Sequence, residues 1–225
     1  MAGAGAGIAL IPILHFIGIP FDISRVTGLF VGFSTTATST LLNFRRGVLE
    51  VGDFLPLALS LPISAALGAQ LSRFVDSVVI EILFSLFLLF SATMMLFFKK
   101  KPRYHLHTPL SLVVTGTIVG LVAGLLGVGG GNLLLPILIL LGFEARRVAV
   151  AVSFVIPFSS ASSFLSYASF VDMDWTLLAV SALGAIAGAS IGNHIMHERM
   201  SQRHIRMVIA MILYLLALKM LISLS

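Results

Sequence analysis

Apolar residues fall along this chain in long blocks, separated by short polar or basic interruptions. The blocks cover roughly 2–17, 26–44, 54–72, 77–98, 109–143, 148–170, 174–196 and 207–224. Most are near the length, about 20 residues, that a helix needs to cross a hydrocarbon core. The fifth is too long for one crossing. Unbroken, it would extend roughly 52 Å at about 1.5 Å per residue, against a core of about 30 Å. The excess is resolved by the run Gly127-Val128-Gly129-Gly130-Gly131-Asn132, which leaves Leu110 to Leu126 as one limb and returns at once to apolar sequence, Leu133-Leu134-Leu135-Pro136-Ile137-Leu138. Residues that disfavour helix, placed inside an apolar block, predict a turn within the membrane.

Composition places the chain in that setting. It is 58% hydrophobic and 10% charged over 225 residues, with a mean hydropathy of +1.09, whereas soluble domains carry about a quarter charged residues. A polytopic all-α membrane protein follows, with the lipid bilayer as its surroundings. Cysteine is absent, which removes disulfides, thiolate metal sites and cysteine nucleophiles. The net charge of +5 invites a nucleic-acid partner, but the basic residues sit in short loops between apolar blocks, as the positive-inside rule requires, so no nucleic acid is expected. The first block leads straight into a glycine motif without a basic n-region, so no cleavable signal is read there.

The chain repeats itself. A shift of 124 positions aligns Gly3, Gly5, Gly7, Leu10, Pro12, Ile13, Leu14 and Gly18 with Gly127, Gly129, Gly131, Leu134, Pro136, Ile137, Leu138 and Gly142. The same shift lays Thr35-Thr36-Ala37-Thr38-Ser39 on Ser159-Ser160-Ala161-Ser162-Ser163, and small gaps bring Arg25-Val26 onto Arg147-Val148 and Asp53-Phe54 onto Asp174-Trp175. Residues 1–98 and 109–225 therefore read as homologous halves joined by the basic linker 99–108. The first half lacks a counterpart of Leu110 to Leu126. Its hairpin is expected to begin at the glycines, either because the N-terminus is truncated or misassigned or because that half works with a single limb.

Basic residues decide the orientation of the halves. If each block crosses once, Lys and Arg divide seven against seven between the two sides, which carries no topology signal. If the glycine cluster turns the chain back, Arg45, Arg46, Lys99, Lys100, Lys101, Arg103, Arg146, Arg147, Arg199, Arg203 and Arg206 share one side, and only Arg25, Arg73 and Lys219 the other. This second arrangement makes the halves inverted, each a glycine-broken hairpin followed by three transmembrane helices, with linker 99–108 cytoplasmic and Asp172-Met173-Asp174 outside.

The candidate chemistry follows from this plan. No enzyme motif is present: no Lys follows the glycine cluster, and Asn132 occupies the third glycine position of G-x-G-x-x-G, so no catalytic activity and no cofactor are expected. A glycine turn in the membrane exposes backbone N–H groups, and the helix that follows adds a positive dipole end. Two such turns suit a small anion, which makes Gly5, Gly7, Gly129, Gly130, Gly131 and Asn132 candidate binding residues, joined by the hydroxyls of Thr35, Thr36, Ser159 and Ser160 in the following segments. The alternatives are close helix packing for the glycines, as expected of Gly116, Gly120 and Gly124 at four-residue spacing, and internal hydrogen bonding for the hydroxyls. Pro157 should break its helix locally. Glu81 and His15 are the titratable candidates for proton transfer, each balanced by an interfacial reading. His194, His197 and His204 lie among Arg199, Arg203 and Arg206, which disfavours a cation site.

The residues Gly124-Leu125-Leu126-Gly127-Val128-Gly129-Gly130-Gly131, then Pro136, then a small-residue helix with hydroxyls and the run Gly184 to Gly192, resemble the sulfite exporter TauE/SafE family over essentially the whole chain. The resemblance implies a bacterial or archaeal plasma-membrane transporter that moves small sulfur-containing anions, such as sulfite or organosulfonates, usually outward. Gly3-Ala4-Gly5-Ala6-Gly7 departs from it by carrying Ala where the family often has Gly. Alternating access by inverted halves is the expected mechanism. A selective anion channel and a non-transporting scaffold are the alternatives, and a homodimer is compatible with a chain of this size.

Overall fold

The computed structural model describes residues 2–45, 47, 52–97, 108–199 and 202–223; within these, side chains at 2–6, 42, 95, 97, 145, 146, 189–199, 202–206 and 223 lie outside the description. The expected linker and Arg46 therefore fall almost wholly outside the described residues. Among those described, the order is α1 (Ala2–Phe16), α2 (Phe21–Arg45), a 3-10 turn at Gly52–Phe54, α3 (Leu55–Leu71), a second 3-10 turn at Ser72–Phe74, α4 (Ser77–Phe97), α5 (Pro109–Leu126), α6 (Gly131–Leu140), α7 (Ala145–Tyr167), α8 (Trp175–Arg199) and α9 (Gln202–Ser223). Four helical stretches there, Gly52–Phe74, Ser77–Met94, Pro109–Leu126 and Arg147–Tyr167, are long and apolar enough to cross a membrane. Leu59, Ile63 and Leu67 on α3 point outward, as do Leu215 and Ile222 on α9, which suits a surface facing hydrocarbon.

The long fifth block divides at its glycines. Gly127 ends α5 in the left-handed conformation with φ 74°, and Gly130 caps α6 with φ 82°. Gly129 between them has φ 69°, a backbone that a Cβ makes costly. The chain then returns along α5. A Cβ on Gly130 would lie 3.2 Å from that of Ala123 and 3.4 Å from a Val119 methyl. The ring of Phe143, just after α6, lies 5.2 Å from Phe54 at the start of α3, and Arg147 meets Asp53 at 2.9 Å.

Those contacts fix directions because α3 and α5 run parallel. Gly116 lies against Leu57 and Ser60, Gly120 against Leu61, Ser64 and Ala65, and Gly124 against Ala65. A Cβ on Gly120 would stand 2.6 Å from the Leu61 carbonyl oxygen, and one on Gly124 would collide with that of Ala65. Close approach is therefore the role of this four-residue series, as expected. Helix α7 is antiparallel to α2: Tyr167 reaches Arg25, Phe164 lies beside Phe30, and the Ser153 carbonyl receives Thr40.

Two expectations are corrected. Gly3-Ala4-Gly5-Ala6-Gly7 does not turn; it is helical from Ala2. Alternating alanine, the best helix former, sustains the helix, and Gly7 serves as a packing residue, since a Cβ there would collide with the Gly28 carbonyl oxygen of α2. Pro157 does not break α7, which is helical throughout Ala145–Tyr167. Proline removes the N–H that would bond to the carbonyl four residues back, here that of Ser153. The freed oxygen accepts the Thr40 hydroxyl at 2.5 Å, so α2 supplies what α7 lacks.

Replacing Gly120 or Gly124 by Ala should lower the melting temperature of the detergent-purified protein by several degrees, in line with overpacking costs of about 1–3 kcal/mol. The control is Gly184→Ala on α8, where a Cβ meets nothing within 4 Å. Equal melting temperatures for all three variants would contradict this packing.

Candidate functional site

The site is built from the reversal upward. Left-handed glycines turn the chain so that the N–H groups of Gly127 and Val128 close the end of α5 on the carbonyls of Gly124 and Ala123, at 3.2 and 3.0 Å. Leu133 and Leu134 start the α6 ladder by donating to the Gly130 carbonyl. Among the described residues, the intervening N–H groups of Gly129, Gly130, Gly131 and Asn132 donate to no acceptor. Gly129, Gly130 and Gly131 are buried and Asn132 is half-buried. Four successive free donors at the start of a ten-residue helix make a compact region of positive potential.

Ser160 of α7 lies directly over this turn, close enough that a Cβ on Gly129 would collide with its hydroxyl oxygen. The same oxygen is 3.8 Å from the Cβ position of Gly32 on α2, and a Cβ on Gly7 of α1 would lie 3.3 Å from the Gly32 nitrogen. Gly129, Ser160, Gly32 and Gly7 therefore converge from the turn, α7, α2 and α1. Ser159, fully buried, has a hydroxyl without a hydrogen-bond partner.

The remaining candidates are placed differently. Thr35 donates to the Val31 carbonyl at 2.9 Å and Thr36 to that of Gly32 at 2.5 Å, so both hydroxyl protons are engaged along their own helix. Ser162, Ser163 and Ser166 bond to the carbonyls of Pro62, Ala65 and Ala66 on α3. This leaves Ser159 and Ser160 as the hydroxyls of the second cluster that face the question of a ligand. Gly5 lies within α1, and its surroundings fall outside the described residues. His15 and Glu81, treated separately in the sequence, meet across α1 and α4 at 3.9 Å. The side chains of His194, His197 and His204 lie outside the description.

Sequence reasoning did not single out Arg25, which it placed among the interfacial basic residues. The structure buries it, with its side chain 2% exposed. Its Nη1 donates to the Leu125 carbonyl at 3.0 Å and to the Tyr167 hydroxyl at 2.9 Å, and its Nη2 meets Asp22. Tyr167 in turn donates to the carbonyls of Gly124 and Leu125 at 2.9 and 3.0 Å. A cation and a phenol thus close the negative end of α5 beside the turn. The available signal was positional, since Arg25 occupies the place of Arg147 in the repeat.

Comparison with known proteins identifies the chain's relatives. The family model for Sulfite exporter TauE/SafE matches residues 1–220. The chain is similar to a "Probable membrane transporter protein" of Methanocaldococcus jannaschii, 29% identical over 98% of this chain and 89% of the relative. A second protein so named, from Bacillus subtilis, is 25% identical over 96% of this chain and 89% of its own length. A shorter stretch resembles "Sulfite exporter TauE/SafE family protein 1" of Arabidopsis thaliana, 38% identical over 26% of this chain and 13% of that protein. No solved structure matches. With its family model spanning nearly the whole chain and its apolar helices long enough to cross a bilayer, this protein is a membrane transporter of the TauE/SafE sulfite exporter family.

Proposed function

We propose that the protein exports a small sulfur-containing oxyanion, sulfite or an organosulfonate, across a bacterial or archaeal plasma membrane by alternating access. The carrying observation is the group of four backbone donors at Gly129, Gly130, Gly131 and Asn132 that have no acceptor within the described protein. In a hydrocarbon setting an unmet donor is costly, and an oxyanion would satisfy several at once. The Ser160 hydroxyl over Gly129 adds a neutral donor, as does the unpartnered Ser159. Neutral donors hold a dehydrated anion without a fixed countercharge, so the ion can also leave.

The inverted-repeat reading supplies the motion. Gly18 and Gly142, matched by the 124-residue shift, end α1 and α6 with φ 99° and 103°, and α2 and α7 cross antiparallel as equivalent elements of inverted halves would. Rocking of one half on the other would move the boundary at Ser160, Gly32 and Gly129 while the turn stays attached to α5. In this reading the basic linker faces the cytoplasm.

Two experiments test these assignments. Ser160→Ala introduces no backbone strain; it should weaken sulfite binding, read by isothermal titration, by about tenfold, or ~1.4 kcal/mol, with the unliganded melting temperature almost unchanged. Sulfite affinity equal to wild type would remove Ser160 from the site, and an absence of anion binding by the wild type would overturn the anion reading. Because the chain has no cysteine, single Cys variants report topology cleanly. An impermeant maleimide added to intact cells should label Cys at Asp172 and leave Cys at Arg103 unlabelled until the membrane is opened; the reverse pattern would overturn the orientation.

A further inference from the structure

Among the described residues, Arg25 is the charged residue found in the buried set, and its hydrogen bonding is incomplete in an informative way. A guanidinium presents five N–H donors in a plane. Nη1 is taken by Leu125 and Tyr167, and the Phe21 and Tyr167 rings lie 5.2 and 5.0 Å from Cζ. The remaining edge, Nε with Nη2, is the one that carboxylates and other oxyanions grip with two parallel hydrogen bonds. Here Asp22 contributes a single oxygen to Nη2, and Nε is buried without any acceptor. The Asp22 side chain is 43% exposed while that of Arg25 is 2% exposed, so the carboxylate sits on the accessible side of a buried cation.

We infer that Asp22 is a placeholder and that a two-oxygen anion displaces it, gripping Nε and Nη2 of Arg25 together on its way between the mouth of the bundle and the glycine turn. The inference rests on the anion-transport reading and deepens it by naming the residue that selects the class of ion. The free N–H groups at the turn respond to negative charge of any shape, chloride included. A planar guanidinium edge favours ions that present two oxygens at fitting separation, such as sulfite or a sulfonate. Position ties the two elements together: a Cβ on Gly127 would stand 2.9 Å from Arg25 Cβ, and the same guanidinium holds the Leu125 carbonyl two residues before the turn. Displacing Asp22 leaves those bonds in place and completes the edge.

The test is a change of affinity in the direction that loss of a stabilising ion pair would not produce. Sulfite and chloride are titrated calorimetrically against purified wild-type, Asp22→Asn and Arg25→Lys protein, with melting temperatures recorded. Removing the competing carboxylate should tighten sulfite binding by about fivefold or more while leaving chloride unchanged, and Lys at position 25, which lacks the two-donor edge, should weaken sulfite by about tenfold. Should Arg25→Lys fail to fold, Asp22→Asn alone decides. Wild-type sulfite binding with unaltered affinity in Asp22→Asn overturns the placeholder role and leaves the transport reading standing. Equal tightening for sulfite and chloride overturns the selection by shape. Absence of sulfite binding in wild type and Asp22→Asn alike overturns both readings.

Discussion

A backbone that reverses direction inside hydrocarbon must find partners for polar groups that no water will meet. Most of this structure can be understood as the answer to that demand. Gly124 and Leu125, whose carbonyls end α5, receive Tyr167 and Arg25. Ser153, whose carbonyl is released by Pro157, receives Thr40. Serines on α7 bond to carbonyls of α3, and Ser64 of α3 donates to the Gly116 carbonyl of α5 at 3.1 Å. All are bonds between elements, and those at the end of α5 and at Ser153 are repairs as well, so some of the groups that satisfy the backbone also hold the helices in register. This accounting stops at the donors that begin α6, which is why they form the candidate site.

Glycine serves three separate physical ends here. At Gly127, Gly129 and Gly130 it permits left-handed backbone and so makes the turn. At Gly116, Gly120 and Gly124 it removes side chains from the α3 crossing, allowing backbones to touch where lipid offers no hydrophobic drive for association. At Gly129 it also leaves room for the Ser160 hydroxyl. A glycine-rich composition alone does not separate these uses. Backbone dihedrals and the atoms facing each missing Cβ do.

The plan of the chain was legible because apolar length and runs of helix-disfavouring glycine are properties of segments, and a segment carries them wherever it packs. The divided fifth block, the return of the chain after Gly131 and the close-packing role of the Gly116 series were all readable on that basis. The first glycine run misled for the same reason: Gly-x-Gly-x-Gly looks like its partner at 127–131 but has alanine in the intervening places and a glycine of α2 to pack against, so helix won. Pro157 misled because its cost depends on whether a neighbouring helix can supply a donor.

What the sequence by itself determined was therefore the membrane setting, the number and extent of apolar elements, the place of the reversal and the family. Tertiary structure decided which donors stay free, that Ser160 rather than Thr35 or Thr36 stands over the turn, and that Arg25, by count an interfacial basic residue, is a buried cation half held by Asp22. The division has a physical reason. Partition into hydrocarbon is a sum over local side chains, whereas the availability of a hydrogen-bonding group depends on what another helix, a hundred residues away in the chain, brings within 3 Å of it.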